Sequence, residues 1–255
     1  MSIVSEIDRI KTNIANAYTE LETKQATIPS ERNSHNLANT IKSIETGGGG
    51  WDTTTITGTR EMFKANKTLI DAPYFNTENV KDMTSMFSDC TNLVNVPNYN
   101  TSKVTNLGDF LYACTSVKTF PALGTPNATT FNSLCYRCSS LETVPLLDCS
   151  KITNIGYAFY LCSNLVNIGG FKNLGKAYTQ KTNNYSNYTL TLNNSNLSYE
   201  SLMNVINNLY DLNISYNVAN GGTLYTQKLV LGSTNISKLS ASELEVCTQK
   251  GWVVS

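Results

Sequence analysis

Seven cysteines are the residues of this chain best suited to chemistry, and four of them are evenly spaced. The four that lie at one constant interval are Cys90, Cys114, Cys138 and Cys162. Cys135 and Cys138 also form a C-x-x-C pair, a spacing that can bind zinc or exchange thiols. However, Cys138 belongs to the regular series, and Cys135 occupies the repeat position of Phe87 and Phe159. The pattern therefore favours free thiols packed as small apolar residues, and we predict no metal site, no cofactor and no functional disulfide.

The other residue types that often act in catalysis form no constellation in this sequence. His35 is the single histidine, and it lies among Asn and Ser residues with no nucleophile to serve in a triad. Asp82 and Asp89 fall at variable positions of the repeat. The glycine run at 47–50 lacks the Lys-Ser/Thr pair that a phosphate-binding loop requires. We predict that the protein is not an enzyme and has no catalytic residues.

The interval between the cysteines also governs the apolar positions, which must build the elements that carry these side chains. A leucine-type position repeats as Leu69, Leu93, Val117, Leu141 and Leu165. A proline position repeats as Pro73, Pro97, Pro121 and Pro145 and ends in Gly169. A fixed period in this range predicts a stacked solenoid, in which each unit buries its apolar face against its neighbours. We place five units at 60–175, with Asn66 at the cysteine position of a degenerate first unit, inside the ladder.

Residues 1–46 precede the array and are predicted to be helical. Their apolar residues alternate in steps of 3 and 4, the spacing of a coiled-coil seam: Ile3, Ile7, Ile10, Ile14, Ala17 and Leu21. Isoleucine at both seam positions favours three or four strands, so we predict a homotrimer. The alternative is a helical hairpin within one monomer, in which a second helix after Ser30 folds back. Residues 47–59 then form a glycine-rich linker and a short initial strand that includes Trp51.

Residues 176–255 depart from the period and are predicted to be C-terminal capping repeats of strands and helices. Thr189–Leu192 alternates like a strand, and a second strand is expected near Leu224–Leu231. Ser198 is expected to cap a helix that contains Leu202, Val205, Ile206 and Leu209. Ser240 and Glu243 have the spacing of a capping box. A turn is expected at 220–222, where the sequence is Asn-Gly-Gly.

Charge and hydropathy exclude several kinds of partner. Lys and Arg total 19 and Asp and Glu total 19, so the formal net charge is zero. This balance argues against binding to nucleic acid or to an anionic membrane. No stretch approaches the roughly 20 apolar residues of a transmembrane helix, and charged residues interrupt the N-terminus where a signal peptide would need a hydrophobic core.

Two segments resemble a known repeat family. Residues 154–168 read N-I-G-Y-A-F-Y-L-C-S-N-L-V-N-I, and this string resembles the core of the BspA-like leucine-rich repeat. The segments 83–90, M-T-S-M-F-S-D-C, and 100–105, N-T-S-K-V-T, resemble a variant of the same repeat. The resemblance implies an α+β leucine-rich-repeat solenoid of 24-residue units, here with a helical, coiled-coil N-terminal segment. It also implies bacterial surface adhesins and their phage-borne relatives, and residues 1–46 look like N-terminal modules of prophage structural proteins.

Tyrosines are the candidate ligand-binding residues. Tyr112, Tyr136 and Tyr160 share one repeat position and should stand outward or half exposed, forming a rigid face for sugar rings or a protein. The alternative is that they stack on one another and only shield the turns. Tyr178, Tyr185 and Tyr188 lie in an Asn-rich loop between array and cap, a second candidate surface.

These observations predict a phage virion protein that is assembled in the host cytoplasm, a location that needs no export signal. It would be displayed on the particle, attached to other virion proteins through 1–46, and would bind a host surface glycan or protein as a tail fibre does. Two alternatives are a capsid or tail decoration protein that binds only virion subunits, and a bacterial surface adhesin.

Overall fold

The computed structural model of the protein describes residues 56–177, 188–212 and 227–255. The chain divides into two compact units, Met1–Ile56 with Pro73–Asn79, and Thr57–Ala72 with Val80–Ser255. In the smaller unit, Phe75 and Thr77 are buried. The predicted helical seam at 1–46, Trp51 and the predicted turn at 220–222 lie outside the described residues. All further contacts described below belong to the larger unit.

Parallel pairing at a constant offset of one repeat length organises the larger unit. One ladder of single bridges joins Gly58, Asp82, Asn106, Thr130 and Asn154 in succession. A second ladder contains the bridges Asp71 to Asn95 and Thr119 to Thr143, followed by the pair of β1 (Thr143–Val144) and β3 (Asn167–Ile168). A third pairs β2 (Leu147–Asp148) with β4 (Phe171–Lys172). Consecutive units of the repeat therefore lie side by side in register, joined by very short strands.

Turn segments between the ladders place ordinary residues in the left-handed region of backbone space. In one such segment, φ is 54° at Asp109 and 55° at Ala113. Each left-handed non-glycine residue costs roughly 1 kcal/mol. This cost is offset by hydrogen bonds, because the N–H group of each left-handed residue points to the next unit. The Asp109 N–H donates to the Asn132 carbonyl at 2.9 Å, and the Ala113 N–H donates to the Tyr136 carbonyl at 2.7 Å. The same two positions have positive φ in each of the remaining units: Glu61 and Ala65, Ser85 and Asp89, Ser133 and Arg137, and Tyr157 and Leu161.

The core of the larger unit is built from the positions that repeat in the sequence. Within the four later units the cysteine and leucine-type positions are fully buried, as are large rings such as Phe87 and Phe110, whose centroids lie 5.4 Å apart. Lack of space explains why glycine occupies position 169, at the end of the proline series. A Cβ atom there would lie 2.5 Å from the Leu146 nitrogen, so no other residue fits without backbone movement.

The C-terminal part forms a three-stranded parallel sheet with helices on its connections. Its strands are β5 (Thr189–Thr191), β6 (Gln227–Val230) and β7 (Trp252–Val254), in the order β5-β6-β7, and its helices are α1 (Tyr199–Asn208), α2 (Gly232–Ile236) and α3 (Ala241–Gln249). The predicted Ser198 cap is confirmed, because its side chain accepts from the Ser201 N–H. The capping box of Ser240 and Glu243 is confirmed as well. The second predicted strand begins at Gln227 in the structure, and Leu224 lies outside the described residues.

Asn66 corrects one expectation about the array. It was predicted to take a cysteine's place inside the ladder, but the structure leaves it half-buried, and its side-chain oxygen accepts from the N–H groups of Thr68 and Leu69, each at 3.1 Å. It closes its own turn by local hydrogen bonds, a role that suits asparagine.

Candidate functional site: an aromatic cluster on the turns

The turn segments hold the predicted tyrosine column by their backbones. The Tyr112 N–H donates to the Asp109 carbonyl at 3.1 Å, and the Tyr112 carbonyl accepts from the Asp89 N–H at 2.7 Å. Tyr136 and Tyr160 make the equivalent bonds, with each N–H donating to a carbonyl of its own turn and each carbonyl accepting from an N–H of the preceding unit. Because both backbone groups of each tyrosine are bonded, the three side chains leave the array from equivalent, fixed points.

The three rings lie against one another. The centroids of Tyr112 and Tyr136 are 5.0 Å apart with an interplanar angle of 7°, and those of Tyr136 and Tyr160 are 5.8 Å apart at 36°. All three side chains are half-buried. The faces of the Tyr112 and Tyr136 rings that meet in the stack are covered by each other, so a ligand reaches this pair through ring edges, phenol hydroxyls and outer faces.

Tyr157 completes the cluster and was missed by the sequence reasoning. Its ring packs edge-on to Tyr136 at 6.3 Å and to Tyr160 at 5.9 Å, and 49% of the residue is exposed. It occupies a left-handed position with φ 58°, where the three preceding units carry Ser85, Asp109 and Ser133. The signal was present in the sequence, since a tyrosine three residues before Tyr160 lies at the start of the same turn. Tyr112, Tyr136, Tyr157 and Tyr160 are hereafter the aromatic cluster.

The other predicted contact residues are not joined to this cluster by the described structure. Tyr178 and Tyr185 lie outside the described residues, and Tyr188 is half-buried directly before β5. The predicted oligomerisation residues from Ile3 to Leu21, and His35, also lie outside the described residues. Asp82 has a structural role, because its side chain accepts from the Thr84 N–H at 2.8 Å within a tight turn.

The regularly spaced cysteines are hydrogen-bond donors to the backbone. Each thiol points to a carbonyl of the preceding unit, 27 residues earlier: Cys90 to Phe63 at 2.9 Å, Cys114 to Phe87 at 3.0 Å, Cys138 to Leu111 at 2.9 Å and Cys162 to Cys135 at 3.0 Å. All seven cysteines are free and buried, so their predicted burial as free thiols is confirmed. Each of these carbonyls also accepts a backbone N–H, so the thiol is its second donor, and a small apolar side chain with a weak donor suits this buried position.

Burial also makes these thiols poor nucleophiles. Desolvation raises the pKa of Cys114, Cys149 and Cys162 well above the ordinary thiol value. The pKa of Cys135, in the C-x-x-C pair, is raised by desolvation and by its neighbour Cys138. Reactive cysteines have the opposite environment, exposed and electropositive. Within the described ranges no three His, Cys, Asp or Glu side chains are grouped closely enough to hold a metal ion.

The carboxyl group of Asp109 belongs to the same turn as Tyr112 of the aromatic cluster. Burial raises the pKa of Asp109, and a hydrogen bond from Ser133 offsets part of that rise. Asp109 occupies the position that Tyr157 occupies two units later.

Comparison with known proteins finds similarity to one protein family over part of the chain. It is similar to the BspA-like leucine-rich-repeat surface proteins, because part of it matches the model of a family in that group. That family is described as "Mycoplasma protein of unknown function, DUF285", and the match covers residues 32–145. No curated protein and no solved structure matches the chain. Among the described residues, no helix is both long enough and apolar enough to cross a membrane.

Proposed function

We propose that the protein is a non-enzymatic recognition scaffold, an α+β leucine-rich-repeat solenoid of the BspA-like kind that binds its target through the aromatic cluster. The observation that carries this proposal is the convergence of four tyrosines from three successive units on one surface, held by backbone bonds that recur in each unit. A rigid array that repeats one turn is suited to presenting side chains at fixed separations. Tyrosine is suited to binding because its large amphipathic ring loses little conformational entropy.

The cysteines support a binding role over a catalytic one. The residues with the most reactive chemistry are each engaged in the interior, and four of them donate to a carbonyl of the unit before. The positions of these four are explained by the packing of the array, whereas the tyrosines of the aromatic cluster are half-buried or exposed. The tyrosines, and not the cysteines, are therefore available to a partner.

The proposed target is a glycan or protein on a host cell surface. The exposed part of Tyr157 and the phenol hydroxyls beside it combine apolar area with hydrogen-bonding groups, the combination found at sugar-binding and protein-binding surfaces. One cluster of this size gives weak binding. Several copies on one particle would convert weak contacts into stable attachment, because later contacts are intramolecular.

The proposed location is the outside of a phage particle, with residues 1–46 joining three copies to each other and to virion proteins. The heptad spacing of isoleucines and the resemblance to phage-borne relatives of the BspA-like group support this placement. Light scattering of the full chain beside a chain that begins at Trp51 tests it. A trimeric full chain and a monomeric shorter chain are expected, and two monomers would contradict the trimer.

Tyr157→Ser tests the binding role, with Tyr199→Ser as the matched control. Serine is the residue that Ser85 and Ser133 place at the equivalent position, so the turn tolerates it. Tyr199 is exposed to a similar extent, 53%, but lies on α1 outside the aromatic cluster. Binding of the labelled full chain to host cells should fall at least about tenfold, or 1.4 kcal/mol, for Tyr157→Ser.

The control variant is expected to bind as the unchanged chain does. Equal binding by all three proteins would remove the aromatic cluster from the proposal. Binding to phage particles but not to host cells would replace it with the decoration role.

A further inference from the structure

The second ladder of parallel strands is interrupted at one step. Asp71 pairs with Asn95, and Thr119 pairs with Thr143, but Asn95 and Thr119 do not pair with each other. The ladder that runs through Asp82 and the later turn positions has no such break among the described units. The step between the strands at 94–96 and 118–120 is called the interrupted step below.

The complete steps of this ladder show which backbone hydrogen bonds the interrupted step lacks. At the preceding step, the Val94 N–H donates to the Ile70 carbonyl at 2.8 Å, and the Ala72 N–H donates to the Asn95 carbonyl at 2.9 Å. Each complete step therefore contributes bonds in both directions between adjacent strands, as parallel pairing requires.

At the interrupted step the equivalent donors would be the N–H groups of Lys118 and Val96, and the acceptors would be the carbonyls of Val94 and Thr119. Neither of these bonds forms, and neither N–H group has an acceptor among the residues that the structure describes. The residues that carry these groups are exposed or half-buried, so water or the hydroxyl groups of a ligand can bond to the unpaired N–H and carbonyl groups.

The two units nevertheless remain at stacking distance on both sides of the break. The Ser116 hydroxyl donates to the Thr91 carbonyl at 2.7 Å, and the Ala122 N–H donates to the Asn98 side-chain oxygen at 2.7 Å. These bonds prevent the strands from separating by the width of an additional strand, about 4.8 Å. A peptide main chain therefore cannot enter the ladder at this point, whereas hydroxyl groups can.

A groove of about 500 Å³ lies over the interrupted step. This volume is within the range of small-molecule sites, about 300–1,000 Å³. Its lining combines apolar surface with hydroxyl and amide groups, and includes Val96, Pro121, Asn98, Thr119 and Thr143.

The charges and hydrogen-bonding groups of the groove select the ligand. The ammonium group of Lys118 lies 3.3 Å from the Glu142 carboxylate, so its charge is compensated. Unpaired carbonyls disfavour an anion, and unpaired N–H groups disfavour a metal cation. A hydroxyl group both donates and accepts, so it can bond to both kinds of backbone group.

We propose that the groove over the interrupted step binds a neutral sugar residue, whose hydroxyl groups complete the backbone bonds that the two strands leave unmade. This inference deepens the proposed function, because it names neutral glycans as the ligand class and adds a second contact surface. It rests on the groove alone, so it can fail while the aromatic cluster still binds host cells.

The test is an NMR titration of the isotope-labelled full chain with methyl β-glucopyranoside, methyl β-galactopyranoside and N-acetylglucosamine. A single ring should bind with a Kd of about 1–10 mM, as expected for a ligand of this size. The amide resonances of Val96 and Lys118 should move downfield with at least one sugar. Galacturonate and a capped alanine dipeptide serve as anionic and peptide probes.

Thr119→Val and Thr129→Val are the matched pair of variants. Both replace a threonine of a ladder strand without changing side-chain shape, but only Thr119 lines the groove, while the Thr129 hydroxyl donates to the Thr105 carbonyl at 3.0 Å. Thr119→Val should weaken sugar binding about tenfold, and Thr129→Val should leave it unchanged. The proposal is overturned if no neutral sugar moves the two amide resonances, if both variants weaken binding equally, or if only galacturonate or the dipeptide binds.

Discussion

Asn235 is predicted to hold the C-terminal sheet together, and replacing it by leucine tests this directly. The side chain is fully buried. Its oxygen accepts from the Leu197 N–H at 3.0 Å, and its amide nitrogen donates to the Leu231 carbonyl at 3.0 Å and to the Ser195 carbonyl at 3.3 Å. One side chain thus bonds the connection after β5 to the residues that follow β6.

The expected loss of folding free energy for Asn235→Leu follows from the backbone groups that leucine leaves unpaired. The buried Leu197 N–H loses its acceptor, which costs about 1–3 kcal/mol, and two carbonyls each lose a donor at about 1 kcal/mol. The Leu192 carbonyl also contacts this amide, but it keeps the bonds that it receives from Ser195. The sum is about 3–5 kcal/mol, at the upper end of single substitutions.

Urea unfolding followed by tryptophan fluorescence measures this loss, because Trp252 is buried on β7 of the same sheet. Far-UV circular dichroism of the same samples reports the array, whose repeats need not unfold together with the sheet. Asn207→Leu is the control, since Asn207 is exposed on α1 and should change stability by less than about 0.5 kcal/mol. A loss below about 1 kcal/mol for Asn235→Leu, or an equal loss for both variants, would refute the assigned role.

Three further predictions concern the array. Because the thiols are buried and their pKa values are raised, iodoacetamide at about pH 8 should label none of the seven cysteines in the native chain and all of them in urea, as counted by mass spectrometry; rapid native labelling would contradict their burial. Gly169→Ala should lower the denaturation midpoint, with a loss above about 2 kcal/mol, because its Cβ would meet the Leu146 nitrogen at 2.5 Å; an unchanged midpoint would show that the backbone yields there. The pKa of Asp109 is raised in the folded chain. The contribution of its protonated form to the stability of the fold is therefore fully present below the ordinary Asp pKa of about 3.9, and that contribution is lost as the pH rises through the pKa of the folded state. Asp109→Asn, which stays neutral, should therefore match the unchanged chain at about pH 3 and exceed it in urea midpoint at about pH 7; the reverse order would show that the charged form is favoured.

The positions that repeat in the sequence predicted burial well, because burial in a periodic array is decided by side-chain type at each step. Cysteine and leucine-type residues separated by one repeat length are fully buried through the later units. The caps at Ser198 and Ser240 were equally predictable, since a cap depends on residues within one turn. Both kinds of feature are local or strictly periodic, and one sequence contains the information for both.

The candidate sites depend on departures from the period, and these were harder to predict. Tyr157 replaces the Ser or Asp of the three preceding units, and its place in the aromatic cluster follows only from the left-handed turn that brings it beside Tyr160. Asn66 keeps the register of the cysteines but bonds within its own turn. In both cases the repeat position is correct and the contact differs, because side-chain chemistry selects the partner once the backbone position is set.

The interrupted step shows why a perfect sequence period does not guarantee perfect pairing. Asn95 and Thr119 are in register, and the units that carry them are bonded on both sides of the break. Side-chain bonds do not by themselves displace the pairing, because the preceding step keeps the Asp71 to Asn95 bridge beside the bond from the Asn92 amide to the Lys67 carbonyl. The proposed site for ligand hydroxyl groups lies at this step because both strands leave backbone groups unpaired there. Restoring the Asn95 to Thr119 pairing should therefore abolish sugar binding without changing the fold of the neighbouring units.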